Sequence, residues 1–176
     1  YSEARLQEVS SNNFILKNGV LQASSFDITS GIGIRFLVDK SLGFVSTNNL
    51  QKNEIKRLVD ASFKLTKSGS RIGEDVEFAK EKPVKKSYRI KKIKDMDPDE
   101  KIKLMKDLDN EIVKTNIKTQ RYMSLSDNTV KQLFVNSEGA KILSEIPRLS
   151  FNHIFTVLQG SKSSQRYWEK GASGGY

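Results

Sequence analysis

Residues 31–47 read GIGIRFLVDKSLGFVST, in which two apolar stretches flank a short polar segment. Alternation of apolar and polar residues over 31–39 predicts a half-buried β-strand. One face of that strand carries four large apolar side chains, those of Ile32, Ile34, Phe36 and Val38. Arg35 lies on the other face. Segment 40–43 predicts a turn into a second strand at 44–47, so this stretch predicts consecutive antiparallel strands.

Strands are also predicted on the N-terminal side of this stretch. Residues 2–9 alternate, and apolar runs at 14–17 and 20–23 flank the pair Asn18-Gly19. An Asn-Gly pair between such runs favours a two-residue hairpin turn, because both turn positions need a positive φ. This part of the chain is therefore predicted to form an antiparallel meander.

The first helix is predicted directly after the meander. Asn48 or Asn49 can cap its N-terminus, and apolar residues recur at helical spacing from there on. Ser68-Gly69 is the predicted end.

The second helix has a well-formed start at Asp97-Pro98-Asp99-Glu100. Asp97 can cap it, Pro98 suits the first helical position, and Glu100 lies three residues after the cap, as in a capping box. Further strands are predicted after this helix, at residues 117–125, 129–135, 141–149, 151–158 and 163–169.

Together these elements predict an α+β fold with two lobes of antiparallel meander sheet, each with a covering helix. The first lobe spans residues 1–70 and the second spans residues 97–176. Residues 71–96 are predicted to be a basic linker with one candidate edge strand at 88–93. The lysines of such an edge oppose pairing between molecules.

Composition excludes several classes of function. The 176 residues include no Cys, which excludes a disulfide scaffold, a zinc finger and a thiol nucleophile. A single His makes a self-contained metal site hard to build. No apolar run approaches the ~20 residues of a membrane-spanning helix. The first residues lack a signal-peptide pattern, so a cytoplasmic setting is expected. The chain starts without Met, and we expect it to be a portion of a longer protein.

The balance of charge is strongly basic. Thirty Lys and Arg against 21 Asp and Glu leave a net charge of +9. An acidic partner or a nucleic acid would suit this charge. However, many of the cations lie within residues 80–94, and acids follow them at once. A solvated, Lys-rich surface is therefore the simpler interpretation.

Three local motifs resemble functional sites but lack the necessary context. Gly31 and Gly33 could begin a dinucleotide-binding loop, but Phe36 stands where the third glycine is required. Residues 171–175 match the G-x-S-x-G pattern, yet no acid and His follow them, which favours a flexible loop. His153 alternates with aromatic residues, so a packed His is expected rather than a metal ligand.

Two stretches resemble a known family. GIGIRFLVD at 31–39, followed by GFVST at 43–47, resembles the N-terminal signature of the TldD/PmbA family. Residues 1–5 are similar to the family's first strand, and residues 17–19 to its hairpin. EKGASGGY at 169–176 resembles the glycine-rich segment of the TldD-type subunit rather than that of its partner.

The resemblance implies a part of a zinc metallopeptidase. Members of the family are metallopeptidases that degrade unfolded polypeptides or process peptide antibiotics, or non-catalytic partners of them, and TldD-type and PmbA-type subunits pair. Their zinc ligands come from a His-Glu-x-x-x-His helix and a later Cys, and neither motif occurs in this sequence. We therefore expect a non-catalytic N-terminal portion, inactive alone, with zinc held elsewhere in the full-length protein and no catalytic, cofactor or metal residue here.

The resemblance also suggests which residues matter. The candidate contacts with a peptide or with the catalytic domain are Gly171, Ser173, Gly174, Gly175 and Tyr176. A structural role is expected for the signature residues Gly31, Gly33, Arg35 and Gly43. We expect Arg35 to pair with an acid of the same chain rather than with a ligand's carboxylate.

Expected partners are an unfolded or extended peptide, bound at strand edges by β-augmentation, and a PmbA-type subunit or a second copy of the chain. One alternative stays open. The chain could be a non-enzymatic binding module or a PmbA-type partner subunit that contacts nucleic acid through its basic surface.

Overall fold

The structure, a computed structural model, describes residues 1–70, 75–79, 81–91 and 96–174. Within those residues the elements are, in chain order, β1 (Ser2–Lys17), β2 (Val20–Val38), β3 (Ser41–Thr47), α1 (Lys52–Gly69), β4 (Lys85–Arg89), α2 (Pro98–Val113), β5 (Thr119–Asn136), β6 (Lys141–Gln159) and β7 (Lys162–Ser173). The chain is α+β, as predicted.

The described strands belong to one hydrogen-bonded sheet. Its order is β3-β2-β1-β5-β6-β4, and β7 also pairs with β6. β3 is antiparallel to β2, and β7 is antiparallel to β6. β4 departs from the predicted meander because it runs parallel to the start of β6, from Lys85 opposite Lys141 to Arg89 opposite Glu145. The candidate strand at 88–93 both begins and ends earlier than predicted, because β4 ends at Arg89 and residues 90 and 91 are not in a strand. Residues 92–95 lie outside the described residues.

Tight turns join the early strands. Asn18 and Gly19 have φ values of 49° and 79°, so the predicted hairpin turn is confirmed. Asp39 and Lys40, with φ values of 47° and 66°, form the next turn, which lies one residue earlier than the predicted segment. Ser41 already belongs to β3.

The second helix start is confirmed and the first is not. In α2 the Glu100 N–H donates to Asp97 Oδ1 at 2.8 Å, and the Asp97 N–H donates to Glu100 Oε2 at 3.2 Å, which completes the capping box. In α1 the N-cap residue is Gln51, which makes no side-chain capping bond, and Asn49 Oδ1 instead accepts from the Gln51 N–H. α1 ends at Gly69, as predicted.

The later strands are longer than predicted. Residues 126–128, which separate the predicted strands 117–125 and 129–135, lie inside β5. Their polar side chains have partners across the sheet: Ser126 Oγ donates to Asn13 Oδ1 at 2.8 Å, and Asn12 Nδ2 donates to Asp127 Oδ1 at 3.0 Å. Likewise, the predicted strands 141–149 and 151–158 are one continuous strand, β6.

The chain divides into two compact units. Unit 1 comprises Tyr1–Val9, Thr29–Arg89 and Val130–Glu145, and unit 2 comprises Ser10–Ile28, Ile90–Thr129 and Ile146–Tyr176. Strands β1, β2, β5 and β6 contribute residues to both units. The division into lobes at 1–70 and 97–176, with a linker between them, stays a prediction.

In unit 1, α1 packs against the β2–β3 pair. Phe36, which is 5% exposed, lies 6.0 Å from the Phe63 ring of α1, measured between ring centroids. Gly43 is the residue of β3 directly opposite Phe36. A Cβ at position 43 would collide with the Phe36 ring and would lie 2.6 Å from Thr66 Oγ1. Glycine is therefore required where the helix covers the strand pair.

In unit 2, α2 covers a small apolar core. The buried cluster consists of Phe14, Leu16, Met105, Met123 and Leu125. Two buried ion pairs join α2 to β5. Arg121 donates to Asp109 through Nε at 2.7 Å and through Nη2 at 3.1 Å. Lys101 Nζ lies 2.7 Å from Asp127 Oδ2.

The close contact at Gly43 predicts a cost for any larger residue there. Gly43→Ala should lower the free energy of unfolding by about 1–3 kcal/mol, because the added methyl group overpacks Phe36 and Thr66. Urea unfolding measures the change. Gly69→Ala is the matched control, since a Cβ there meets no atom within 4 Å. An equal stability of the two variants would contradict the packing described.

The buried pair at Asp109 predicts a larger effect. Asp109→Ala leaves the Arg121 guanidinium buried without its carboxylate, which should cost about 3–5 kcal/mol of stability. Glu111→Ala, on the same helix, removes an exposed pair with Lys114 and should cost less than about 1 kcal/mol. Urea unfolding measures both losses. Similar losses in the two variants would show that the buried Asp109 pair contributes no more to stability than the exposed pair.

Candidate functional site

Strand β7 is a long strand with one edge left open. It pairs with β6 from Lys162 opposite Gln159 to Ser173 opposite Arg148. The pairing extends one residue further, where the Gly174 N–H donates to the Pro147 carbonyl at 3.0 Å. In the part of the chain that the structure describes, β6 is the partner of β7 in the sheet.

The register shows which backbone groups point outward. Because the 174–147 pair is hydrogen-bonded, the alternation of an antiparallel ladder directs the groups of even-numbered β7 residues toward β6. The odd-numbered residues therefore direct their N–H and C=O groups to the open edge; these are Ser163, Gln165, Tyr167, Glu169, Gly171 and Ser173. All twelve residues of β7 are exposed. The strand thus presents a row of free donors and acceptors.

The two faces of β7 differ in chemistry. One face carries Arg166, Trp168 and Lys170. Trp168 on this face is 52% exposed. On the other face the Tyr167 hydroxyl donates to Glu169 Oε2 at 2.6 Å. That hydrogen bond to the carboxylate raises the pKa of Tyr167. Glu169, the acid of β7, is therefore already hydrogen-bonded within the strand. Arg166 and Lys170, in contrast, flank the exposed ring of Trp168.

An apolar groove of about 650 Å³ lies beside Trp168 in unit 2. Leu104 and Leu108 of α2 form one wall, and both are partly exposed. The floor comes from β5 and β6, with Met123, Leu125, Leu149 and Phe151. Phe151 holds the indole in place, because the two rings meet edge to face with centroids 5.9 Å apart. The volume suits one or a few large apolar side chains.

His153 is the one ionisable imidazole of the chain and lies in this groove. It is directly opposite Trp168 in the register and meets Phe155 edge to face at 5.9 Å. Its Nε2 is buried without a hydrogen-bond partner among the described residues. Desolvation lowers the pKa of His153, and the Arg121 cation acts in the same direction against the opposing effect of Asp109. The neutral form is therefore favoured, as a packed His requires.

The signature residues lie in unit 1. Gly31, Gly33 and Arg35 lie along one face of β2, beside a groove of about 680 Å³. Arg35 Nε donates to Glu3 Oε1 at 2.7 Å, which confirms the expected pairing with an acid of the chain. Burial raises the pKa of Glu3, but hydrogen bonds from Tyr1 and Arg35 outweigh it and leave that pKa below its usual value.

The predicted contact residues that the structure describes belong to unit 2. Gly171 and Ser173 lie in β7, and Gly174 follows it, buried and with φ at 111°. The prediction of a flexible loop at 171–175 is therefore wrong for 171–173, because pairing with β6 continues through those residues. Gly175 and Tyr176 lie outside the described residues. The structure thus places the two predicted groups of residues in different units.

Two properties of the described residues bear on function. No three His, Asp or Glu side chains there converge so that they could hold a metal ion. The imidazole sits among apolar side chains, which is a poor setting for a cation. No described helix is long and apolar enough to span a bilayer.

Two models of one protein family match the sequence. The family model described as PmbA/TldA metallopeptidase domain 1 matches residues 2–66, and the one described as the PmbA/TldA metallopeptidase central domain matches residues 91–176. The chain belongs to the PmbA/TldD metallopeptidase family.

Individual relatives agree with this assignment. Metalloprotease MJ0996 of Methanocaldococcus jannaschii is 30% identical over 152 residues, which is 84% of this chain and 34% of that protein. A candidate modulator of DNA gyrase from Bacteroides thetaiotaomicron superposes with a TM-score of 0.81 at 19% identity, covering 97% of this chain and 40% of that one. TldE from Thermococcus kodakarensis gives 0.74 at 15% identity, covering 98% and 39%. The chain spans between a third and two fifths of these relatives.

Sequence reasoning missed the groove and Trp168. The sequence predicts a strand at 163–169, and alternation within it would place Arg166 and Trp168 on one face; Lys170, one residue beyond the predicted end, continues that face. A single Trp between two cations on a predicted strand is a signal that could have been used. No sequence pattern indicates that α2 would form the wall of a groove beside it.

The setting of His153 predicts a pH dependence of stability. Because its pKa is lower in the folded state than in the unfolded state, the unfolded state binds more protons below about pH 7. Stability should therefore fall as pH drops from 7 toward 5, and His153→Phe should lose less over that range. Urea unfolding at each pH gives the comparison.

NMR titration of the native chain checks the same point directly, because the chain has one His. The imidazole should titrate below about pH 6.5, the usual value. Titration at or above that value would contradict the buried setting.

Proposed function

We propose that the chain is a non-catalytic part of a TldD-like zinc metallopeptidase, and that it binds unfolded or extended peptide for cleavage at a metal centre formed by other residues of the full-length protein. In this proposal its units help to enclose the chamber through which peptide reaches that centre, in the cytoplasm. The observation that carries the proposal is the open edge of β7, with six residues directing backbone groups outward.

An open strand edge suits a peptidase that must accept many sequences. A peptide added to the edge hydrogen-bonds through its main chain, so affinity does not require particular side chains. A folded protein has few free main-chain groups to offer, and extended peptide is therefore selected. β7 is twelve residues long, and the other terminal strands of the sheet order, β3 and β4, have seven and five.

In this proposal the chemistry of cleavage belongs to another part of the full-length protein. Their carboxylates and single imidazole form no group suited to a metal ion. Zinc, when bound by the full-length protein, would supply a polarised water for attack on a peptide bond. The role of this chain is to bind and orient the peptide.

The proposal also includes a partner subunit, either PmbA-type or a second copy of the chain. The alternative partner, nucleic acid, would use the cations of the basic surface and would bind with a steep dependence on salt. The two are separable, because binding through a strand edge is dominated by main-chain hydrogen bonds and should persist at high salt.

A proline at an outward-facing position tests the proposal. Gln165→Pro removes an N–H that points to the open edge and leaves the ladder with β6 intact. Binding of a dye-labelled, unstructured peptide, measured by fluorescence anisotropy, should weaken about tenfold through loss of a hydrogen bond and poorer strand pairing.

Gln165→Ala is the matched control, since it loses the same side chain and keeps the N–H, and it should bind as the native chain does. Far-UV circular dichroism confirms that both variants are folded. If Gln165→Pro binds the peptide as tightly as Gln165→Ala, the edge of β7 is not the binding site.

A further inference from the structure

We propose that β7 selects among extended peptides for one pattern: a large apolar residue packed on Trp168, with Asp or Glu two residues before it and two residues after it. The acids lie opposite Arg166 and Lys170. This inference rests on the proposed function, because it assigns a sequence preference to the edge that binds the peptide.

An incoming strand would come closer to the β7 residues on the Trp168 face than to those on the other face, because of the geometry of the ladder. Odd-numbered β7 residues offer the hydrogen bonds, so even-numbered residues form the non-hydrogen-bonded pairs with an antiparallel peptide. In such pairs the Cα atoms are only about 4.5 Å apart, against about 5.5 Å in hydrogen-bonded pairs. Arg166, Trp168 and Lys170 are thus the residues that read the peptide's side chains.

Trp168 is prepared for an apolar partner. Its ring meets that of Phe151 edge to face, and the residue lies opposite His153 in the ladder, yet 52% of the residue remains exposed. The groove beside it extends the apolar surface to Leu104 and Leu108 on α2. An apolar side chain opposite Trp168 would cover the indole, and a long one would reach toward the groove. Aromatic cross-strand pairs are among the most stabilising.

Among the described residues, the two flanking cations have no acidic partner. Across β6, Arg166 faces Phe155 and Lys170 faces Phe151. Neither is in an ion pair within the described residues, whereas Glu169 on the opposite face is bound by Tyr167. Cross-strand pairs of opposite charge stabilise a sheet, and like charges oppose pairing. Peptides with acids at both flanking positions are therefore favoured, and peptides with Lys or Arg there are disfavoured.

The test compares two peptides of identical composition. Each has nine residues of Thr and Ser except for one Phe and two Asp. In the patterned peptide Phe is the fifth residue and Asp the third and seventh; in the permuted peptide Asp occupies the fourth and sixth positions, which place it on the other face. Binding to the 176-residue chain is followed by anisotropy of a terminal dye, and independently by fluorescence of Trp168, the one Trp of the chain.

The patterned peptide should bind about fivefold more tightly, as expected for two exposed ion pairs. It should also change the Trp168 emission. The variant Arg166→Gln/Lys170→Gln, which removes both charges and keeps polar side chains at the two positions, should bind the two peptides equally. Raising the salt concentration should reduce the preference.

Equal binding of the two peptides to the native chain, abolished in both cases by Gln165→Pro, would overturn this inference and leave the proposed function standing. Failure of both peptides to bind would overturn the inference and the proposed function together. A preference that survives in the double variant would show that the cations do not determine it, and would also overturn the inference.

Discussion

The buried ion pair between Asp109 and Arg121 is the interaction on which unit 2 depends. Both side chains are largely buried, and such a pair is tolerable only when its hydrogen bonds are satisfied. The backbone of Arg121 is held as well: its N–H donates to Asn18 Oδ1 at 2.8 Å, and its carbonyl accepts from the Asn18 N–H at 2.9 Å. The Gly19 backbone lies so close to Asp109 that a Cβ at position 19 would be 3.0 Å from Asp109 Oδ2. One pair thus fixes α2, β5 and the β1–β2 turn together.

The placement of α2 determines the groove and the chemistry beside it. With the helix fixed over β5, Leu104 and Leu108 face the side chains of β6 and Trp168 of β7. The core beneath them is small, so the groove remains open at the surface. β7 lies beyond β6 with its outer backbone groups free. The open edge and the apolar surface therefore lie side by side, and in the proposed function both would contact the peptide.

The sequence predicted correctly those elements that depend on residues close together in the chain. The Asn18-Gly19 turn and the capping box at Asp97 follow from residues close in the sequence, and both are confirmed. Ser126 and Asp127 favour a turn by themselves, but hydrogen bonds with β1 and the ion pair to Lys101 keep them in a strand. The groove could not be predicted, because its walls come from segments that are distant in the sequence. Trp168 could have been identified from the sequence, but the residues that form the groove beside it could not.

Residue-resolved amide hydrogen exchange with an extended peptide tests the central claim most directly. Exchange of the outward-pointing amides, such as those of Gln165 and Tyr167, should slow when the peptide pairs with β7. The amides of Arg166 and Trp168 already bond to β6 and should change little. Slowing that alternates along β7 in this way is the predicted result. Protection that appears on other strands while the β7 amides exchange as before would contradict the account.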